Sequence, residues 1–344
     1  MRDVPGSSAA MKLIIQIPCL NEAETLPIAL ADLPKHIPGI DVIETLIIDD
    51  GCTDDTVGVA LKHGVHHVVG FRRNQGLARA FMLGIEACLE RGADIIVNTD
   101  ADNQYNAADI ALLVRPILDQ RADLVIGARP ISEIQHFSLL KKALQRVGSW
   151  VVRRVSNTDV VDAPSGFRAM SREVAMVLNV FSDYTYTLET IIQAGQKNLR
   201  ISSVPIRVNG ELRPSRLVRS ILTYVRRSIF TMLRIFVVYR PLRFFMSVSV
   251  VPLLLGLGLG ARFVLYYMQG HGSGHVQSLI LVAVLLMVAF QTILLAVLAD
   301  LQSVNRRLLE DLQLRERERR SGESQGHVKD RRHSERPLDR IASA

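Results

Sequence analysis

"IIVNTDADNQ", residues 95–104, is the stretch whose reading decides the fold. Ile95, Ile96 and Val97 form a short apolar run of the kind that makes a buried strand. The run then empties into Asp100, Asp102 and Gln104. Two meanings fit so polar an ending. Asp and Asn routinely build a turn and cap the helix that follows. Two carboxylates one residue apart, at the carboxyl end of a strand, are also a way to hold a divalent cation.

Working outward, the first 205 residues alternate between two patterns. Strand-like apolar runs occupy residues 13–17, 42–48, 67–69, 95–97 and 124–126, and helical patterns occupy 24–33, 53–62, 77–90 and 108–118. Such alternation predicts an α/β domain with a mostly parallel sheet. Ligands of such sheets bind beyond the carboxyl ends of the strands. That is where the polar motifs fall: "IPCLNEAE", "DDGCTDDT", "NQGLARA", "TDADNQ" and "GAR" follow the five runs in order. Turn chemistry alone does not account for five polar motifs at five strand ends. No G-x-G-x-x-G follows the first run and no G-x-x-x-x-G-K-[ST] occurs, which argues against dinucleotide-binding and P-loop readings.

The remainder of the 344 residues has a different character. The chain is 48% hydrophobic, and much of that excess is concentrated toward the C-terminus. Residues 244–261 and 276–299 carry no charge. A bilayer core takes about 20 apolar residues per helix, so two transmembrane helices are expected rather than two core helices. The insert "QGHGSGH" (269–275) is short enough only for a hairpin loop, which places both flanks on one side. Residues 207–243 are rich in arginine with Glu211 as the only acid, and the positive-inside rule puts that side in the cytoplasm. The expected location is therefore a cell membrane, multi-pass, with the N-terminal α/β domain and the C-terminus cytoplasmic. The net charge of +7 sits beside the spans, which favours anionic membrane lipids as partners and not nucleic acid.

Between domain and spans, residues 211–243 form a juxtamembrane amphipathic segment. At ~100° per residue, Arg216, Arg219, Arg226, Arg227 and Arg234 share one face of a helix and the apolar residues share the other. That is the pattern of an interfacial helix, and equally of one packed on the globular domain. The polar N-terminus (1–10) reads as disordered and shows no cleavable signal. Residues 11–210 form the α/β domain, 244–300 the two-span hairpin, and 301–344 a tail that is helical to 319 and disordered beyond Arg320. Cys19, Cys52 and Cys88 lack metal-binding spacing and suit a reducing compartment as free thiols.

"IPCLNEAETL", "IIDDGCTDDT", "NQGLARA", "DADNQ" and "SGFRAMS", in this order, resemble the family 2 glycosyltransferases of the GT-A fold. More narrowly, they resemble the polyisoprenyl-phosphate glycosyltransferases that include dolichol-phosphate mannose synthase. The resemblance covers about residues 11–216, and two C-terminal spans are also a pattern of bacterial members. In "VPIRVNGELRPSRL", Ser215 and Arg216 stand where Ser-Lys is more usual, which keeps the charge and changes its hydrogen-bonding geometry.

A sugar nucleotide needs its departing diphosphate neutralised, so Mg²⁺ or Mn²⁺ is the expected cofactor, with Asp100, Asp102 and Gln104 as its ligands. The resemblance implies nucleobase contact for Asp50. Asp49 and Glu22 are neighbours for base or ribose, or alternatively helix caps. Pro18 and Asn21 shape the first loop, Gly76 permits close approach of the donor, and Arg79 reaches a phosphate or stays on the helix surface. The resemblance also implies an acceptor-phosphate role for Arg129 and for Arg168, beside Ser165. Arg213 and Arg216 would close over the donor diphosphate.

A lipid phosphate is already anionic and needs no general base, so Asp102, Arg129 and Arg168 would suffice for an inverting displacement. Partners would then be a GDP- or UDP-linked nucleotide sugar and a prenyl phosphate lipid, with the sugar open and the oligomeric state, homo-oligomer included, also open. A hydroxyl acceptor is the alternative, with Asp102 or Glu189 as base. A membrane-anchored scaffold with a degenerate domain is the non-enzyme alternative, and the intact Asp100, Asp102, Gln104, Arg129 and Arg168 speak against it. His63, His66 and His67 make a poor metal site, since the last two point to opposite faces of a strand. Trp150 lies in "QRVGSW", not in the Q-x-x-R-W of processive synthases.

Overall fold

In the computed structural model, which describes residues 10–130, 149–150, 153, 156, 158–180, 186–210, 230, 233–234, 237–269 and 276–334, the alternation becomes a seven-stranded mixed sheet. In chain order the elements are β1 (Lys12–Cys19), α1 (Leu26–Ala31), β2 (Val42–Asp49), α2 (Thr56–Lys62), β3 (His67–Gly70), α3 (Leu77–Glu90), β4 (Ile95–Asn98), α4 (Ile110–Leu118) and β5 (Leu124–Ala128). Then come β6 (Arg168–Ser171), α5 (Arg172–Val177), α6 (Thr187–Gln196) and β7 (Ile201–Pro205). The strands lie in the order β3-β2-β1-β4-β6-β5-β7. All neighbours run parallel except β6, which is antiparallel to both β4 and β5.

The centre of the sheet follows from composition. Leu13, Ile14, Ile15 and Ile17 are fully buried, so β1 is covered on both faces, as a central parallel strand must be. Phe81, Ile85 and Cys88 of α3 cover one face, while Leu26 of α1 and Ile110, Leu113 and Val114 of α4 join the core on the other. Burying one such aliphatic side chain contributes about 1.5–3 kcal/mol. Register then aligns the functional edge. Cys19 pairs with Asp49, and Asp49 with Gly70, so β1, β2 and β3 end at one level. Asn98, the last residue of β4, pairs with Gln16, and the chain leaves β4 toward Asp100 along that same edge.

The chain divides into two compact units, Met1–Tyr224 with Leu312–Ala344, and Val225–Asp311. The second contains α7 (Pro241–Met268) and most of the apolar part of α8 (Val276–Ser334). Pro241–Met268 and Gln277–Arg317 are long and apolar enough to cross a membrane. The two helices meet along small residues: Ser249 and Gly256 are buried on α7, and Val282, Ala289, Ala296 and Ser303 recur every seventh residue on α8. A Cβ at Gly256 would stand 3.0 Å from the Leu286 side chain, so glycine permits this close approach. Leu254, Ile280, Met287 and Phe290 point outward and are each more than half exposed.

Two strands had no expectation attached. β6 and β7 are short, and "RAMS" and "ISSVP" lack an apolar run, so pairing with β4 and β5 and not local pattern makes them strands. Arg168 is the first residue of β6 and so stands within the sheet. Beyond Arg320 the helix continues through Ser334, where a disordered tail was expected. Extending an existing helix carries no new nucleation cost, so a polar sequence can follow an apolar one without a break. Most of the expected amphipathic segment, with Arg213 and Arg216, lies outside the described residues.

Candidate active site

Three loops at the carboxyl edge of the sheet are stitched together by their own polar groups. Asn21, in the left-handed region at φ 57°, accepts at Oδ1 from the Thr53 amide (2.7 Å) and hydroxyl (3.2 Å). The Glu22 amide donates to Thr56 Oγ1 (2.9 Å), and the buried Glu22 carboxylate accepts from Thr25 Oγ1 (2.8 Å). Pro18 pairs with Ile48 within the sheet. The loop after β1 is thereby locked to the loop after β2.

The two acids at the end of β2 do different work. Asp49 Oδ1 accepts from the Cys52 amide (2.7 Å), which closes a turn. Asp50 reaches across and accepts from the backbone amides of Gln75 (2.7 Å) and Gly76 (3.0 Å). Burial raises the Asp50 pKa, the two amide bonds oppose that rise, and the Asp49 charge adds to it. Gly51 is obligatory here: at φ 75°, a Cβ would stand 2.4 Å from the Arg73 backbone. Arg79 is exposed on α3 and donates to Gln75 Oε1 (2.8 Å).

The loop after β4 carries the carboxylates. Asp102 Oδ1 accepts from the Gln104 amide (3.2 Å), with Asn103 between them at φ 55°. Part of the turn reading is thus correct at Asp102, and it coexists with the clustering of charge. The Asp100 carboxyl is pushed up to about 7 by burial first, then by the charge of Asp102, with Arg129 and Arg168 pulling the other way.

Arg129 follows β5 and is held by Asp162, which accepts from its Nε (2.7 Å), its Nη2 (3.1 Å) and its backbone amide (3.3 Å). Asp162 is fully buried and the Arg129 side chain is 12% exposed. Arg168 is fully buried, where burial depresses its pKa. Its Nη1 donates to Thr187 O (3.2 Å) and to Thr190 Oγ1, and its Nη2 to Ser165 O. Among the described residues, Ser165 Oγ and Arg168 Nε are buried polar atoms without a hydrogen-bond partner. The Arg168 guanidinium also lies 5.2 Å from the centre of the Tyr186 ring.

Asn98, Tyr105, Asp162 and Tyr186 are site residues that sequence reasoning missed. Asn98 is fully buried; it accepts from Gln16 Nε2 (2.9 Å) and donates to Gly166 O (3.0 Å) and to Tyr186 Oη (2.9 Å). The Gly166 amide donates to Tyr105 Oη (3.1 Å). The Tyr105 hydroxyl is pushed up to about 12, chiefly by burial, so it remains protonated. The one signal available for Asn98 was an amide ending a fully apolar strand.

The residues fit a divalent cation in donor chemistry. Asp100 and Asp102 are hard oxygen donors on one loop with Gln104 beside them, and Mg²⁺ commonly takes one or two carboxylates and completes its shell with phosphates and water. Among the described residues, no group of three or more His, Cys, Asp or Glu forms a protein-only cage. The three histidines serve structure: His63 Nδ1 contacts Val59 O, His66 Nδ1 accepts from the Thr45 amide, and His67 Nε2 contacts Glu44. Glu189 is buried on the first turn of α6.

Comparison with known proteins gives this architecture relatives. The family model described as Glycosyl transferase family 2 matches residues 14–178. An uncharacterized glycosyltransferase of Mycobacterium tuberculosis is 32% identical over 214 residues, which span 58% of this chain and 91% of that protein. The undecaprenyl-phosphate mannosyltransferase of Micrococcus luteus is 28% identical over 206 residues, 57% of this chain and 83% of that one. Among solved structures, glucosyl-3-phosphoglycerate synthase from M. tuberculosis in complex with phosphoglyceric acid superposes with a TM-score of 0.51 at 22% identity. It covers 65% of this chain and 80% of that chain, a likeness of fold alone.

Proposed function

The chain belongs to glycosyl transferase family 2, and on that premise we propose that it moves a sugar from a GDP- or UDP-linked donor to a polyisoprenyl phosphate at a membrane. The observation that carries the lipid acceptor is the second unit. A domain of this kind joined to two helices long and apolar enough to cross a bilayer suits an acceptor that itself lives in one. The named activity of the Micrococcus luteus relative is of that class. The arginine-rich flanks favour a cytoplasmic location for the glycosyltransferase domain and the tail.

In this reading Asp50, with Asp49 and Glu22, receives the base and ribose in the stitched loops after β1 and β2. Asp100, Asp102 and Gln104 would hold Mg²⁺ or Mn²⁺, which when bound neutralises charge on the departing diphosphate. Arg129 and Arg168 supply positive potential beside Asp100, and Asp162 fixes the plane of the Arg129 guanidinium. Arg168 has its Nη donors committed to Ser165 and α6, so it acts on an acceptor phosphate through its field and through the Ser165–Gly166 backbone it holds. Arg213 and Arg216 remain expected contacts of the donor diphosphate. A phosphate oxygen already carrying charge attacks the anomeric carbon without a base, and the nucleoside diphosphate leaves.

The experiment is to incubate membranes containing the protein with labelled nucleotide sugars and undecaprenyl phosphate. Acid-labile lipid-linked sugar supports the proposal. Label in a glycan, glycolipid or protein would point to a hydroxyl acceptor, and no transfer from any donor to a scaffold.

A further inference from the structure

We propose that Asn209 is a positioning residue for the loop that carries Asp100 and Asp102, so that cation affinity depends on the chain segment leading out of β7. The inference rests on the reading of those carboxylates as cation ligands. Asn209 occupies three consecutive carbonyls of that loop. Its backbone amide donates to Gln104 O (2.8 Å), and its side-chain Nδ2 donates to Asn103 O (3.0 Å) and Tyr105 O (3.4 Å). Two carbonyl acceptors at one terminus of the side chain identify that terminus as the nitrogen.

The neighbours of Asn209 extend the same seam. Val208 bridges Tyr105 in antiparallel fashion, and the Asn106 amide donates to Arg207 O (3.4 Å). Arg207 then grips Asp109 through its backbone amide (2.7 Å), Nε (3.0 Å) and Nη2 (2.6 Å). On the opposite side, Asn103 Nδ2 donates to Asp32 Oδ2 (3.0 Å) beyond the end of α1. The loop is therefore clamped between α1 and the 207–209 segment, and its left-handed residue Asn103 sits between the clamps. The peptide planes from Asn103 to Tyr105 set the direction of the Asp102 carboxylate, which accepts from one of those planes at Gln104 N. A side chain that supplies two N–H donors from one atom is needed at position 209. Aspartate has the same shape and would face the two carbonyls with negative charge.

The test measures Mn²⁺ binding to the full-length protein in detergent with GDP or UDP present, by the loss of the free-ion EPR signal. Asn209→Asp should weaken Mn²⁺ binding at least about five- to tenfold, because it removes two hydrogen bonds that preorganise the loop and turns a carboxylate toward the same two carbonyls. Nucleoside diphosphate affinity in the absence of divalent cation should stay within about twofold of wild type, since Asp50, which would receive the base, lies after β2 and is held by the Gln75 and Gly76 amides, outside the clamped loop. Equal Mn²⁺ binding by Asn209→Asp and wild type would overturn the inference. So would an equal loss of cation-free nucleotide binding, because that is general loosening. Should Asn209→Asp fail to fold, Asn209→Ala carries the same readout, as it removes the side-chain donors without adding charge. Wild-type protein that binds no Mn²⁺ would instead remove the cation reading beneath it, a distinguishable result.

Discussion

Gly166 lies against Asp100 so closely that a Cβ at position 166 would stand 3.2 Å from both carboxylate oxygens and 3.0 Å from Tyr186 Oη. The Gly166 peptide is held there from both ends, its carbonyl by Asn98 and its amide by Tyr105. The carboxylate of the β4 loop and the backbone before β6 thus form one wall of the site. Adding even a methyl group must displace one of them.

Gly166→Ala should accordingly impair the enzyme more than it impairs the fold. Overpacking a closed position costs about 1–3 kcal/mol, which if expressed at the Asp100 carboxylate lowers kcat by roughly tenfold or more. Activity and Tm measured on the same preparation check this. Wild-type kcat in the variant would show that the wall tolerates the extra carbon and plays no part in placing Asp100.

Asp102→Ala should abolish transfer and leave the protein folded and membrane-bound. The position is on a loop, and its hydrogen bond to the Gln104 amide is local. Wild-type protein should lose turnover in excess chelator and regain it on addition of Mg²⁺ or Mn²⁺. Undiminished turnover in chelator would remove the metal from the account.

Asp162→Asn should be strongly destabilising despite its small change in shape. Removing the charge from a buried ion pair leaves the other charge uncompensated, at a typical cost of about 3–5 kcal/mol, and Arg129 is only 12% exposed. A thermal unfolding scan reads the effect. Asp162→Asn together with Arg129→Gln should recover part of the Tm while remaining inactive, and a double variant no more stable than the single would show that the pair is not the source.

The legible part of this molecule is the part with local pattern. β1, β2, β4 and β5 are apolar runs that tertiary pairing only had to place, and the polar motifs after them fall on the edge where parallel sheets bind ligands. β6 and β7 carry no such run, and they are strands because β4 and β5 offer them partners. The site divides the same way. Asp50, Asp100 and Asp102 stand in motifs, whereas Asp162 became visible only when the fold brought it to Arg129, 33 residues away in sequence. Asn98 stood inside the stretch that decides the fold, but an asparagine at a strand end reads as a turn residue. Its contacts with Gly166 and Tyr186, 68 and 88 residues away, exist only in the folded chain.

Membrane arrangement has its own test. Gly272→Cys should react with an impermeant maleimide in intact cells and Asp330→Cys should not. Burial pushes the Cys19 and Cys88 thiols up and the Cys52 thiol up to about 11, so native thiols should react slowly, and replacing Cys52, the one not fully enclosed, gives a quiet background. Labelling of both introduced cysteines in intact cells would contradict a hairpin with both flanks in the cytoplasm.

The central claim is that the acceptor is a phosphate and not an alcohol, and the direct measurement is turnover on undecaprenyl phosphate against undecaprenol at matched concentration in the same detergent. The account predicts transfer to the phosphate and none to the alcohol, because the alcohol would need a base to generate its nucleophile. It further predicts that Arg168→Ala raises the lipid phosphate requirement and lowers Tm together, because the fully buried guanidinium acts through its field and through the Ser165 and α6 backbone that it holds. Comparable turnover on the alcohol and the phosphate would contradict it.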